Sequence, residues 1–187
     1  MLIEKTGLPG VLIITPQRFS DARGFFCESW NDELMKANGL DIEFVQDNHS
    51  MSFKTGTVRG LHFQAPPRAQ TKLVRCGRGR FLDVAVDVRN GSPTYGKWAS
   101  VELSFENGKQ FLVPEGFLHG FVTREPDTEI NYKCSDFYSR ECDGAVRFDD
   151  ADIGIDWGID AGSAHVSQKD ANAQSFSDFK SPFVYHL

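Results

Sequence analysis

Gly56–Lys72, GTVRGLHFQAPPRAQTK, is the stretch whose reading decides the fold. It sets two arginines, a histidine and a lysine around a short apolar core, and its glycines argue against a helix. In a strand, side chains alternate between faces. His62 then shares a face with Gly60 and Gln64, while Leu61 and Phe63 point the other way. Pro66 and Pro67 cannot donate ladder hydrogen bonds, so the strand stops there and turns, and Lys72 opens the next strand.

The spacing recurs further on. Gly56 precedes His62 by six positions, and in GKQFLVPEGFLHGF Gly108 precedes Pro114 by six, with Gly116 and His119 following. This two-part spacing resembles that of a cupin barrel. In the cupin pattern His62, the next residue but one, a later glutamate and His119 would hold a metal. Here Gln64 stands in the second place and no glutamate follows soon after. Two imidazoles and a neutral amide are a poor donor set for a catalytic metal, so the expected barrel carries no metal.

The chain, 187 residues long, is read as a single domain, 1–187, with room for a sizeable core. Its 16 Phe and 17 Gly, within 40% hydrophobic and 25% charged residues, favour β structure with tight turns. A net charge of −6 argues against nucleic-acid binding, whose affinity comes from a basic face. Local basic residues leave an anionic small molecule open. Cys27, Cys76, Cys134 and Cys142 form neither a CxxC nor a regular framework, which reads as reduced thiols rather than a zinc knuckle or disulfide scaffold. The apolar run VLII at 11–14 is too short for a signal segment or membrane span, and the expected location is the cytoplasm.

Along the chain, Val11–Thr15 reads as a strand, followed by a turn at Asp21–Gly24 and a strand at Phe25–Trp30 with Phe26, Glu28 and Trp30 on one face. Asn31 caps a helix expected to run through Leu40, with Gly39 as its stop. In Glu43–Ser52 the residues Phe44, Gln46, Asn48 and Ser50 share a face, and amides there are wasteful unless they line a cavity. Arg80–Arg89 sets Leu82, Val84, Val86 and Val88 against Asp83 and Asp87, so its second face meets a polar interior or solvent. Trp98–Phe105 is expected to pair with Gln110–Val113 as a hairpin across Glu106-Asn107-Gly108. Thr128–Ser135 carries Tyr132 on the face of Ile130 and Cys134. The fold class is mainly β, a cupin-type (jelly-roll) antiparallel barrel with a few short helices.

A histidine, a lysine and a tyrosine in a polar barrel suggest proton transfer. Histidine is the usual base near neutral pH, lysine steadies a developing oxyanion, and tyrosine can deliver a proton from the other side. One base and one acid on opposite faces give epimerisation beside a carbonyl. Taken singly, a barrel histidine such as His62 is more often structural, and Lys72 also reads as a solvated edge lysine and Tyr132 as a core aromatic.

Six strings, QDNHSMS, GTVRGLHFQAPPRAQTKLVRC, DVAVDVRNGSPTYGKW, VPEGFLHGF, NYKCSDFYS and SQKDA, strongly resemble the dTDP-4-dehydrorhamnose 3,5-epimerases, the metal-free cupins of dTDP-L-rhamnose synthesis. The resemblance runs from about Gly7 to Phe176. It implies that His62 removes the C3 and C5 protons, that Asp170 orients it, with Asp83 as the rival partner, that Lys72 stabilises the enolate and that Tyr132 returns the proton. It implies substrate contacts from Arg23, Arg59 and His119, with Gln46 and Asn48 near the diphosphate and Lys169 near the substrate. Phe26 and Glu28 would recognise the base and Tyr138 would stack on thymine. Asp143 stands where the family often has a glutamate. No metal or cofactor is implied, the ligand is a dTDP-sugar, and the unit is a homodimer whose N-terminal strands bring Arg23, Phe26 and Glu28 to the partner's site. The competing readings are an epimerase of one carbon, a ketoisomerase, a metal-dependent cupin oxygenase, and a sugar-nucleotide binding barrel without activity.

Overall fold

A computed structural model describes residues 1–186. In chain order the elements are β1 (Leu2–Lys5), β2 (Leu12–Thr15), β3 (Arg18–Asp21), β4 (Gly24–Cys27), helix α1 (Asp32–Ala37), β5 (Gln46–Ser52), β6 (Val58–Gln64) and β7 (Lys72–Arg78). There follow β8 (Arg80–Asp87), β9 (Trp98–Ser104), β10 (Gln110–Val113), β11 (Phe117–Thr123), β12 (Thr128–Cys134), β13 (Asp143–Ala145) and helix α2 (Gln168–Ala171). One sheet has the order β1-β2-β10-β7-β12-β5, a second has β13-β6-β11-β8-β9, and β3-β4 form a separate ribbon. Every ladder between these strands is antiparallel.

The two large sheets face each other across one core. Val74, Phe111, Val113 and Ile130 from the first meet Phe81, Ala85, Val101, Leu103, Phe117 and Phe121 from the second. The outer face of the second sheet is also buried, because Val58, Leu61, Val84, Val86, Leu118 and Val122 pack under Phe148, Trp157, Phe179 and Phe183 of the C-terminal segment. Covering on both sides explains why β11 is buried throughout rather than alternating. A third cluster seats Met35 of α1 on Ile14, Leu73 and Leu112. Asp83 and Asp87 are fully buried, so the polar face of β8 looks into the interior and not to solvent.

Two expectations are corrected. Helix α1 starts as read, with the Asn31 side chain accepting from the Leu34 N–H at 3.0 Å, but it ends at Ala37 and not at Leu40. The N–H groups of Asn38 and Gly39 turn back onto Met35 and Lys36 carbonyls at 3.0 and 2.9 Å, and Gly39 has φ +81°, a conformation glycine takes without strain. Strands β9 and β10 are not a hairpin: β9 pairs with β8, while β10 lies between β2 and β7. The Asn-Gly reversal exists, since Asn107 Oδ1 accepts from the N–H groups of Ser104 and Lys109 at 3.1 and 2.9 Å. It carries the chain from one sheet to the other, because a local turn sets direction whereas burial of all four β10 residues chooses the sheet.

Candidate active site

Where β7 runs from Cys76 towards Lys72, the space between the sheets changes from apolar to polar. A cavity of about 420 Å³ opens there, and its walls include Asn48 of β5, His62 of β6, Lys72 of β7, Tyr132 of β12 and the loop residue Tyr138. His62 Nε2 lies 2.6 Å from Asp170 Oδ1, and with that nitrogen on the carboxylate Nδ1 is left for a ligand. Asp170, 3% exposed, is held by α2: Ser167 caps the helix by accepting from the Asp170 N–H at 3.1 Å, and Asp170 Oδ2 accepts from the Gly60 N–H at 3.3 Å. Burial pushes this carboxyl up, but His62, Gly60 and Ser167 together outweigh it and hold the group below the ordinary carboxylate range.

His119 sits directly opposite His62 in the β6–β11 ladder, but it is buried, with Nε2 2.7 Å from Asp83 Oδ1. The two candidate carboxylates are therefore divided, Asp170 to His62 and Asp83 to His119. His119 lines only a minor recess behind Lys72 and Gln64. Desolvation lowers the pKa of Lys72, against the pull of Cys134, Asp83 and Asp143. Burial raises that of Tyr132, with Arg59 opposing, so the phenol keeps its proton and is suited to act as an acid.

At the mouth, Lys169 is ion-paired with Asp143, and the Tyr138 hydroxyl donates to the same carboxylate at 3.3 Å. The shorter Asp143 thus reaches both neighbours. Gln46 donates to Asn48 Oδ1 at 3.1 Å and accepts from the Tyr138 N–H at 2.9 Å, so these amides line the cavity with protein partners already in place. Gln64, read from the sequence only as a missing metal ligand, and Gln70, not singled out at all, also line it. Gln64 is engaged by backbone groups, and no group of three His, Cys, Asp or Glu side chains arranged for a metal occurs among the described residues.

Besides His119, four expected contacts are not among the cavity's walls in the single chain. The Arg59 guanidinium donates to Met51 O at 3.0 Å and Ser52 Oγ at 3.4 Å. Arg23 is exposed and bound to Asp21 at 2.5 Å, Phe26 is 66% exposed, and Glu28 lies beyond the end of β4, accepting from Asn31 at 3.4 Å. A second hollow of about 420 Å³ on the outer face of the first sheet is lined by Asp47, His49, Arg75 and Lys133. There His49 and Lys133 are engaged by Glu129 and Asp47 at 3.4 and 3.0 Å, and Asn48 and Tyr132 reach this hollow as well.

The family model described as dTDP-4-dehydrorhamnose 3,5-epimerase matches residues 5–178. The chain belongs to the dTDP-4-dehydrorhamnose 3,5-epimerase family. The enzyme of that name from Sinorhizobium fredii is 48% identical over 185 residues, covering 99% of this chain and 94% of its own length. The crystal structure of dTDP-6-deoxy-D-glucose-3,5-epimerase from Legionella pneumophila, in complex with dTDP-4-keto-L-rhamnose, superposes with a TM-score of 0.93 at 38% identity, covering 99% of each chain. A 3′-monoepimerase from Streptomyces bikiniensis in complex with dTDP-quinovose follows at 0.85 and 33%, covering 92% of this chain and 86% of its own. The mainly β, cupin-type fold read from the sequence is that of the epimerase family.

Proposed function

We propose that this chain epimerises C3 and C5 of dTDP-4-dehydro-6-deoxy-D-glucose, forming dTDP-4-dehydro-L-rhamnose for dTDP-L-rhamnose synthesis. One observation carries the reading: His62 and Tyr132 stand on opposite sheets and enter the same cavity. The C4 ketone acidifies the protons on both neighbouring carbons. His62 takes the proton from one face and leaves an enolate, Lys72 supports the oxygen that gains charge, and Tyr132 returns a proton from the other face. Asp170 orients the imidazole and steadies it once protonated. Tyr138, Asp143 and Lys169 hold the nucleotide end at the mouth, with Gln46 and Asn48 shaping the walls and His119 behind them.

The working unit is proposed to be a cytoplasmic homodimer acting on a dTDP-sugar, with no metal, cofactor, nucleic acid or membrane involved. The exposed ribbon β3–β4, carrying Phe19, Phe25 and Phe26 at its surface, supports this, because it presents Arg23, Phe26 and Glu28 away from its own cavity and free to complete a partner's.

Incubation with dTDP-4-dehydro-6-deoxy-D-glucose in deuterated water, read by mass and by product configuration, tests the reaction. Deuterium at both C3 and C5 with a rhamno product is expected. Exchange at C3 alone would make the chain a single-carbon epimerase, as the Streptomyces bikiniensis relative is named. Binding without exchange would leave a sugar-nucleotide barrel.

A further inference from the structure

The loop Asp136–Ser139 between β12 and β13 has no strand beside it, yet its backbone is tied down at successive positions by side-chain amides. Gln70 donates to Asp136 O at 2.7 Å, and Gln64 donates to Phe137 O at 3.0 Å. Gln46 Oε1 accepts from the Tyr138 N–H at 2.9 Å, and Gln64 Oε1 accepts from the Ser139 N–H at 2.8 Å. We infer that Gln64, helped by Gln46, forms an amide clamp that positions Tyr138, making Gln64 a positioning residue for nucleotide binding. This rests on the proposed role of Tyr138 as the ring that stacks on the base.

Gln64 is 6% exposed and has no donor to spare. Its NH₂ also donates to Arg68 O, so both amide hydrogens and the oxygen are engaged. A primary amide alone offers two donors and an acceptor in one plane, whereas a neutral imidazole has one donor and a carboxylate none. The place two residues after His62, which a metal-binding barrel would give to a ligand, is here occupied by the one side-chain type that can hold three backbone groups. The clamp also spans the fold: Gln46 comes from β5 in the first sheet and Gln64 from β6 in the second. Tyr138 itself is 60% exposed, with its hydroxyl on Asp143 at 3.3 Å. Its backbone is fixed from both walls while its ring stays at the open mouth, so a stacking surface is ready before ligand arrives, and the ordering cost that would otherwise fall on affinity is already met.

The test is a double-mutant cycle on dTDP affinity, measured by calorimetry with the whole chain. Tyr138→Ala should weaken binding about 10-fold, the scale of one lost stacking contact, and Gln64→Met and Gln46→Met each about 5-fold or more. Combined with Tyr138→Ala, Gln64→Met should add no more than about twofold, because the ring it positions is gone. Wild-type affinity in the single variants overturns the clamp. So does full multiplication of the factors in the Gln64→Met/Tyr138→Ala variant, which would make Gln64 an independent ligand contact. If Gln64→Met does not fold, amide hydrogen exchange in Gln46→Met decides, by the criterion given below. If the wild-type chain does not bind dTDP, the proposed function fails and the clamp is judged by hydrogen exchange. The Tyr138 amide should then exchange at least about 10-fold faster in Gln46→Met than in wild type, and equal rates overturn it.

Discussion

His62 and Tyr132 divide one reaction into two halves that substitution can separate. His62→Ala removes the base, so deuterium exchange at both carbons should be lost while dTDP still binds, since the nucleotide is held at the mouth. Substantial residual exchange would identify another base. Tyr132→Phe keeps the ring and loses only the proton, so turnover to inverted product should fall roughly 10²–10⁴-fold while deuterium still washes into the substrate from the His62 side. Joint loss of exchange and inversion would mean that the tyrosine is needed to form the enolate. Lys72 carries a further consequence. Desolvation lowers its pKa, so the fold holds its charge at a cost. Lys72→Met should therefore lower turnover by about 10²–10³ and leave the thermal midpoint unchanged or higher, and a midpoint falling by several degrees would show that the ammonium stabilises the fold. The residue types were legible in the sequence, and alternation gave the face His62 shares with Gln64 and the one Tyr132 shares with Ile130 and Cys134, whereas Lys72 read only as the start of a strand. The division of Asp170 and Asp83 between two histidines was not: the pairs are separated by 108 and 36 positions, and both carboxylates sit in patterns compatible with either partner.

At the scale of the element, Asp87 decides how β8 ends. Its buried carboxylate accepts from the Arg89 backbone N–H at 3.0 Å, from the Arg89 guanidinium at 2.6 Å, and from Ser92 and Thr94 hydroxyls, each at 2.6 Å. Burial pushes this carboxyl up, and the hydrogen bonds from Arg89, Ser92 and Thr94 more than reverse that, so its pKa lies below the ordinary value. The unfolded chain takes up this proton near pH 4, before the native state does. The stabilisation is therefore complete above that pH and is lost as pH falls further. Asp87→Ala should destabilise by about 3–5 kcal/mol at pH 7 and by clearly less at pH 3, in urea unfolding at both values. An equal deficit at the two would mean that packing, and not the charge, is what the turn loses. The Asn107-Gly108 reversal teaches the complementary lesson. Its turn chemistry was readable, but the ladders on either side were not, because a turn holds no information about which sheet has an unfilled place.

For the whole molecule, the ribbon β3–β4 makes a prediction about assembly. If Arg23, Phe26 and Glu28 serve the partner's cavity, a chain with His62→Ala and a chain with Arg23→Ala/Glu28→Ala should each be nearly inactive. Mixed and allowed to exchange subunits, they should recover up to about one quarter of wild-type activity, because half the dimers are mixed and each of those has one complete site. No recovery despite proven exchange would mean that those residues serve their own subunit's site, and an active Arg23→Ala/Glu28→Ala chain would place them outside catalysis.

What the sequence determined by itself is local: the alternating faces, the Asn31 cap, the turns at glycine, proline and Asn107-Gly108, and a set of His, Lys and Tyr side chains suited to proton transfer. These follow from backbone sterics and from hydrogen bonds that span a few residues. The tertiary structure alone decided which carboxylate meets which histidine, that β9 and β10 part into different sheets, that Gln46 and Gln64 hold the Tyr138 loop, and that Asp83 and Asp87 are interior. Each of those outcomes depends on pairing and burial between segments distant along the chain, where the free energy is set by competition among partners and not by any one stretch.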